Sequence, residues 1–599
     1  LKIYENKNFQ KTDIKGRINI LYYKLYNMGI FQFYSWFRKS FPKDIYKLQK
    51  SVNIELDIQI DNLLIDMNGL FHTSAQKVFK YGSFKPSYEV LIKENSKTHQ
   101  LVFQDICEKI DELLILTNPT NKLILCVDGT APIAKQCQQK KRRYKSALER
   151  DENDKSFDSN QITPGTKFMD HLSKYIDWFI RKRISENPLW QNIEIIYSSS
   201  QVSSEGEQKL LSWVRKFGNR NETFCIHGLD ADLIMLSLLT HFPKFYVLRD
   251  DYYDKSNKYL LLNIGSVREQ LIEMMRWEKD KEIENYFHFD KECVINDFVF
   301  LMYFCGNDFL PNIPSLEIIE GGVDVIIQIS KNVGRTHGHI TRKRSGNIIF
   351  CKTSLKQFLS IISDMEKDLL EQKYKNRSRY FPDAILDKSA SYNVELEKYE
   401  IDIEKFREIY NETRFNNEQE LKNACMMYLS GMQWILRYYT RDVPSWKWFY
   451  PFHYGPSATT LIKYIDEFEF PRFIRGVPLN PLQQLLCVLP IKSSKLLPTP
   501  LDTLLSTKLK KYNPDDVEID LSGKSQEYMG IVKLPFMDIS EMKKSYEELI
   551  EKVDERELKR NNIGKTLLYK YNPTFLRVFN SYYGNIKECK VEIKVIDLS

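Results

Sequence analysis

The sequence predicts an α/β protein: a mainly parallel sheet flanked by helices, with a second, mostly helical α+β region packed on it. Two observations carry this prediction. The apolar, β-like runs NLLID, KLILCVD, IEIIYS, TFCIHG and KFYVLRD alternate with helix-spaced stretches through residue 330, as parallel strands joined by crossover helices do. A second dense region begins near Asn416 with the helical NEQELKNACMMYLSGMQWILRYYT and continues through an aromatic loop, VPSWKWFYPFHYGP, to NPLQQLLCVLP.

Along the chain, residues before Met28 are rich in Lys, Asn and Tyr and have no signal-peptide layout. The text changes at MGIFQFYSWFRKSFP, so Met28 is expected to be the biological start, with residues 1–27 an upstream extension. Phe33 stands where a myristoylation signal needs Ser or Thr, which argues against a lipid anchor. After the five β-like runs, GRTHGHITRKRSGN is basic and glycine-containing and is expected to be a long loop. His337 and His339 within it have no further ligand nearby in sequence, so a metal site is not expected there. Residues 346–415 are highly charged with helical spacing, as a solvated connector would be. The last fifty residues are charged and carry no assignable role.

Composition narrows the functional classes. No apolar stretch is long enough to cross a membrane. The ten cysteines are scattered without a C-x-x-C pair, which argues for a reducing compartment and against a disulfide framework or zinc knuckle. Net charge is +7. That balance favours a polyanionic partner, because the acidic clusters described next must be outweighed elsewhere.

Seven acidic residues fall in five short clusters: Asp66 in LLIDMNG, Asp128 in LILCVDGTAP, Glu205 and Glu207 in SSEGEQK, Asp230 and Asp232 in IHGLDADLIM, and Asp308 in FCGNDFLP. Taken singly each has an ordinary structural reading. Asn68-Gly69 and Asp128-Gly129 are turn dipeptides, and Ser204-x-x-Glu207 is a capping box. Taken together, four clusters sit at or just past apolar runs, where open α/β sheets place their sites. So many carboxylates in one cleft repel each other unless divalent cations neutralise them, and oxygen-only ligands suit Mg²⁺ or Mn²⁺. The joint pattern points to two metal ions and phosphodiester chemistry.

Immediately after Asp128 comes GTAPIAKQCQQKKRRYKSALER. On a helix Lys135, Gln139 and at least one of Arg142 and Arg143 share a face, and a basic face beside a metal carboxylate suits a phosphate. Read alone, KKRRYK would be a nuclear localisation signal or a solvated face.

The motifs IDMNGLFH, VDGTAPIAKQCQQKKRR, SSEGEQK, GLDADLIML and GNDFLPNIPSLEI resemble the Xrn-type 5′→3′ exoribonuclease family. So do LSGMQWILRYYTRDVPSWKWFYPFHYGP, PLQQLLCVLP and DLSGKSQEYMGIVKLPF, which resemble its second conserved region. The likeness runs from Met28 to about Asp538. It implies a flap-nuclease-like (PIN) core, two metals on the seven acidic residues, and a 5′-monophosphate pocket made by Lys135, Gln139, Arg142 and Arg143. It also implies an aromatic clamp on the first base, formed by His72 with Trp446 or Trp448. The domains expected are 28–345, a nuclease catalytic domain; 346–415, a charged helical linker; 416–545, a second conserved region completing the pocket; and 546–599, a charged tail.

The resemblance implies processive hydrolysis of single-stranded, 5′-monophosphorylated RNA in RNA decay, downstream of a decapping or pyrophosphate-removing enzyme. A monomer is expected, without a membrane, and in the cytoplasm rather than the nucleus, because KKRR is taken up by the pocket. Phe31 and Gln32 depart from the family's opening Met-Gly-x-Pro-Lys-Phe. Two rivals are a flap-type structure-specific DNA endonuclease and an inactive RNA-binding homologue. The lack of a helix-hairpin-helix glycine pattern after Asp308 argues against the first, and the intact acidic set against the second.

Overall fold

The computed structural model describes residues 32–86, 92–148, 157–251, 258–277, 287–377 and 380–597; the expected extension at 1–27, Met28 and Phe31 lie outside them. Nine strands form one sheet: β1 (Ile45–Leu48), β2 (Asn62–Asp66), β3 (Lys122–Cys126), β4 (Glu194–Ser198), β5 (Phe224–His227), β6 (Phe245–Asp250), β7 (Tyr259–Asn263), β8 (Thr566–Tyr571) and β9 (Val591–Ile596). Their order is β1-β7-β6-β5-β2-β3-β4-β8-β9. The central five, β6-β5-β2-β3-β4, are parallel. The outer strands pair antiparallel.

The apolar runs form strands because both faces of the parallel sheet are covered. Alternate residues point to opposite sides. Leu64, Ile124, Ile196 and Ile226 enter one core, while Leu63, Ile65, Leu123, Leu125 and Ile195 enter the other. The helices that matter for the site are α1 (Met67–Phe79), α2 (Ile133–Leu148), α3 (Lys167–Glu186), α4 (Gly206–Phe217), α5 (Asp232–Leu238), α6 (Lys352–Lys375), α7 (Glu418–Thr440), α8 (Pro481–Val488) and α9 (Ile539–Ile550). No helix among the described residues is long and apolar enough to cross a membrane.

Four sequence expectations need correction. The GRTHGHITRKRSGN segment is not a long loop: a helix continues to His337, and Thr341–Arg344 pairs with Asn347–Phe350 in a hairpin. His339 is held structurally, with Nδ1 2.7 Å from Asp297 Oδ2 and Nε2 accepting from the Asp290 N–H at 2.9 Å. Residues 346–415 are no solvated linker, because α6 carries an apolar stripe, Leu355, Phe358, Leu359 and Ile362, that is fully buried. Glu366 on this helix is buried and paired with Arg407 Nη2 at 2.9 Å, and the largely covered Lys373 is paired with Glu317 at 2.8 Å.

The charged tail is also structured. A boundary at 545 would cut α9, and β8 and β9 extend the main sheet beyond β4, with Leu568 opposite Ile196. Leu568 and Ile596 pack toward one core, and Leu567, Tyr569 and Ile593 toward the other. Tyr569 is fully buried and donates to Asp177 Oδ1 on α3 at 2.6 Å.

Candidate active site

The five acidic clusters converge at the carboxyl end of the parallel strands, beside the point where chain progression reverses between β2 and β5. Asp66 is the last residue of β2 and precedes α1, so Asn68-Gly69 is helix rather than turn. Asp128 follows β3. Glu205 sits at the N-cap position of α4 without making a side-chain cap, so the expected capping box does not form. Asp230 and Asp232 lie at the turn from β5 into α5. Asp308 is the exception: the apolar run before it, FVFLMYFC, is helical through Met302 and a 3₁₀ turn through Cys305 rather than a strand.

Asp128 is fixed from three directions. Asn68 Nδ2 donates to its Oδ2 at 2.7 Å, its own N–H donates to Asn68 Oδ1 at 3.1 Å, and the Gly206 N–H donates to its Oδ1 at 2.6 Å. Gly206 has to be glycine here, because a Cβ would come within 2.7 Å of Asp66 Oδ1. Behind this turn, buried Lys209 donates to the Val127 carbonyl at 2.6 Å and the Ser199 carbonyl at 3.0 Å.

Lys135 is the one expected pocket residue that the structure places elsewhere. Its ammonium lies 2.7 Å from Glu205 Oε1 and 2.7 Å from Asp308 Oδ2, inside the carboxylate cluster. It occupies the first turn of α2, below the arginines, and its long stem reaches down to the acids. Burial opposes its charge, but Asp308, Glu205, Glu207 and Asp232 outweigh that and hold its pKa well above the usual value. Tyr438 of α7 donates its hydroxyl to Glu205 Oε2, and Gln138 Nε2 reaches Asp308 Oδ1 at 3.4 Å. The second region therefore contributes Tyr438 to the cluster.

The cluster fits a divalent cation. Glu207, Asp230 and Asp232 can each offer an oxygen within 4.8 Å of the others. Asp66 Oδ1, Glu207 Oε2 and Asp232 Oδ1 are buried without a hydrogen-bond partner among the described residues, and an all-oxygen set suits hard cations. Burial first, and neighbouring carboxylates second, raise Asp66, Glu207 and Asp232 well above the carboxylate range. Burial, reinforced by Asp308, pushes Asp230 up to about 6.

Next to the acids opens a cavity of about 750 Å³ whose walls include Asp128, Asp308, His72, Gln139, Arg142 and Arg143. Three of the four expected phosphate ligands are thus brought together. Arg143 Nη1 is buried without a hydrogen-bond partner among the described residues. Burial, then the adjacent Arg142, push the Arg143 pKa down to about 9. A buried unpaired donor beside a second guanidinium is a place for an anion. Burial, then Arg142 and Arg143, push His72 down to about 3, so its ring is neutral at physiological pH.

Neither tryptophan lines this cavity. Trp446 is buried, and its main chain bonds Arg475 and Ile133. Trp448 stacks on Trp434 with ring centroids 5.2 Å apart. Both are drawn into the apolar core around α7. Aromatic side chains that do line the cavity with His72 include Phe449, Phe452, His453 and Phe536, with His453 stacked on Phe536 at 4.9 Å. Sequence reasoning also missed Asn68, Lys209 and Tyr438. The first two stand within the motifs that carry the acids, where adjacency was the available signal. Tyr438 lies in an aromatic helix end that looks like core.

The comparisons with known proteins agree with this geometry. The profile for the XRN 5'-3' exonuclease N-terminus matches residues 28–251, and that for the Xrn1 helical domain matches 288–404 and 387–597. The chain is 27% identical to 5'-3' exoribonuclease 1 of Saccharomyces cerevisiae, over 93% of this chain and 46% of that one. It is 28% identical to the 5'-3' exoribonuclease 2 homolog of Drosophila melanogaster, over 90% of this chain and 73% of that one. It is 27% identical to 5'-3' exoribonuclease 1 of Homo sapiens, over 95% of this chain and 37% of that one. The chain thus spans less than half the length of the yeast and human relatives and about three quarters of the fly one. Among solved structures, the catalytic core of Rad2 in complex with DNA substrate aligns at a TM-score of 0.31 and 11% identity, over 57% of this chain and 79% of that one, a likeness too slight to argue from. From two profiles that together run over most of its length, the chain belongs to the Xrn 5'-3' exonuclease family.

Proposed function

We propose that this chain is a processive 5′→3′ exoribonuclease that hydrolyses 5′-monophosphorylated RNA to nucleoside 5′-monophosphates, using two Mg²⁺ or Mn²⁺ ions. The observation that carries this reading is a single cavity lined by Asp128 and Asp308 together with Arg142, Arg143 and His72. A terminal phosphate held by the arginines would set the next phosphodiester against the acids, so that one nucleotide is removed per cut.

In this mechanism Asp66, Asp128, Glu205, Glu207, Asp230, Asp232 and Asp308 hold the cations. When bound, the cations lower the pKa of the attacking water and stabilise the leaving 3′-oxygen. Arg142 and Arg143 grip the 5′-phosphate through charge-assisted hydrogen bonds, and Gln139 adds a neutral contact. His72, neutral and flat, stacks on the first base, which tolerates any sequence. Tyr438, whose pKa is raised well above the usual value by burial and then by Glu205, stays a phenol and keeps that carboxylate oriented.

A pocket scaled to one phosphate disfavours capped and triphosphate ends, so an enzyme that removes caps or pyrophosphate would supply the substrate. The KKRR run is folded into α2 with Lys140 buried against the Tyr512 carbonyl at 2.7 Å. That use of the run supports the cytoplasm over the nucleus. The test is a time course on one 3′-labelled RNA carrying a 5′-monophosphate, 5′-hydroxyl or 5′-triphosphate, with Mg²⁺ or EDTA. Metal-dependent loss of the monophosphate RNA alone is expected. Equal cutting of all three with internal fragments would overturn the reading in favour of a flap-type endonuclease.

A further inference from the structure

Arg249, on β6, is fully buried, and its guanidinium lies under the turn that carries two of the proposed metal ligands. Nη1 donates to the Asp230 carbonyl at 3.1 Å, and Nη2 donates to the Leu229 carbonyl. The ring of Tyr34, itself 6% exposed on the helix Phe33–Ser40, covers the guanidinium at 4.3 Å from Cζ to ring centroid. A charge that is always present is thus held beneath the turn by two successive carbonyls and an aromatic face.

The choice of partners matters. Arg249 bonds main-chain oxygens, and those contacts leave the Asp230 and Asp232 carboxylates pointing toward Glu207, within the 4.8 Å cluster. Pinned at the carbonyls of Leu229 and Asp230, the backbone of the turn is held in place before any cation arrives. Lys209 plays the same part for Asp128, bonding the carbonyls of Val127 and Ser199 rather than a carboxylate.

We propose that Arg249 is a positioning residue that sets the affinity of the site for divalent cations by fixing the Asp230–Asp232 turn. The proposal rests on the metal-dependent reading above. It predicts that losing the guanidinium weakens metal binding while leaving RNA binding alone.

The test compares the parent chain with Arg249→Met and Arg249→Lys. Mn²⁺ binding is measured without RNA from the paramagnetic resonance signal of the free ion, and Mg²⁺ dependence and KM for 5′-phosphorylated RNA are measured separately. Changing the groups that orient metal ligands typically costs about 10–100-fold in metal affinity, and Arg249→Met is expected in that range. Its rate should recover at high Mg²⁺, with KM for RNA unchanged, and Arg249→Lys should fall between it and the parent. Parental Mn²⁺ affinity in both variants would overturn the proposal, as would a rate loss that Mg²⁺ does not restore. If Arg249→Met loses its cooperative melt, Arg249→Lys alone decides: weakened Mn²⁺ binding supports the role and parental binding refutes it. A parent chain that binds no Mn²⁺ would instead refute the metal reading itself, and this proposal with it.

Discussion

Replacing Arg143 by Met separates end recognition from chemistry. Arg143 lines the cavity with a buried Nη1 that has no hydrogen-bond partner among the described residues. The folded protein therefore bears the cost of that donor, and a 5′-phosphate would relieve it. A hydrogen bond to a charged group contributes about 1.5–3 kcal/mol. At 1.4 kcal/mol per decade this corresponds to a loss of about 10–150-fold in kcat/KM for 5′-phosphorylated RNA. The same RNA with a 5′-hydroxyl cannot use the contact, so its residual slow turnover should be unaffected. Stability should hold or rise, since a buried guanidinium without a paired carboxylate gives way to an apolar chain of similar length. The assay is steady-state release of mononucleotides from the two RNAs, with a thermal melt of each protein. An equal loss on both RNAs, or a clear fall in Tm, would refute the assignment of Arg143 to the phosphate.

Three further outcomes are expected. Asp308→Ala should abolish turnover while RNA binding measured by fluorescence anisotropy persists; measurable parental turnover would remove Asp308 from the metal set. The carboxylates raised by burial, Asp230 to about 6 and Asp66, Glu207 and Asp232 well above their usual range, favour the protonated fold. Their stabilisation is present below the ordinary carboxylate pKa and lost as pH rises through the folded values. The Tm gained on adding Mg²⁺ should therefore be larger at pH 8 than at pH 5, and the reverse order in paired melts against EDTA would contradict this. Tyr569→Ala, which empties a fully buried site between β8 and α3 and orphans Asp177, should cost about 3–5 kcal/mol in denaturant unfolding. A neutral effect would mean that the C-terminal strands contribute nothing to the sheet.

The acidic half of the site was legible because each of Asp66, Asp128 and Asp230 follows an apolar run of strand length, and strand ends are where such sheets expose side chains. The helical spacing of Lys135, Gln139, Arg142 and Arg143 was legible too, but spacing gives a face and not a depth. Depth decides that Lys135 meets Glu205 and Asp308 while the arginines, a turn or two later, meet the cavity. The tryptophans were misplaced for a related reason. An aromatic loop beside a substrate pocket resembles a clamp, whereas Trp448 is held by Trp434, whose position depends on where α7 lies in space.

β8 and β9 were hidden because the many charged residues of the last fifty make that stretch look like a solvated tail. The apolar residues of TLLYKY and VEIKVI were present, and what the sequence did not reveal was a partner strand. β4, more than 350 residues away, supplies it. Arg249 was equally invisible, since nothing in KFYVLRD marks an arginine that bonds the carbonyls of a neighbouring strand's turn.

The central claim is that a free 5′-phosphate end, gripped beside a metal-binding carboxylate cluster, determines where the chain cuts. It is tested most directly by giving the protein one RNA in two forms, a covalently closed circle and the same molecule opened once to leave a 5′-phosphate, in Mg²⁺. The account predicts that the open form is reduced to mononucleotides while the circle survives. Cleavage of the circle would contradict it and place the chemistry with an endonuclease.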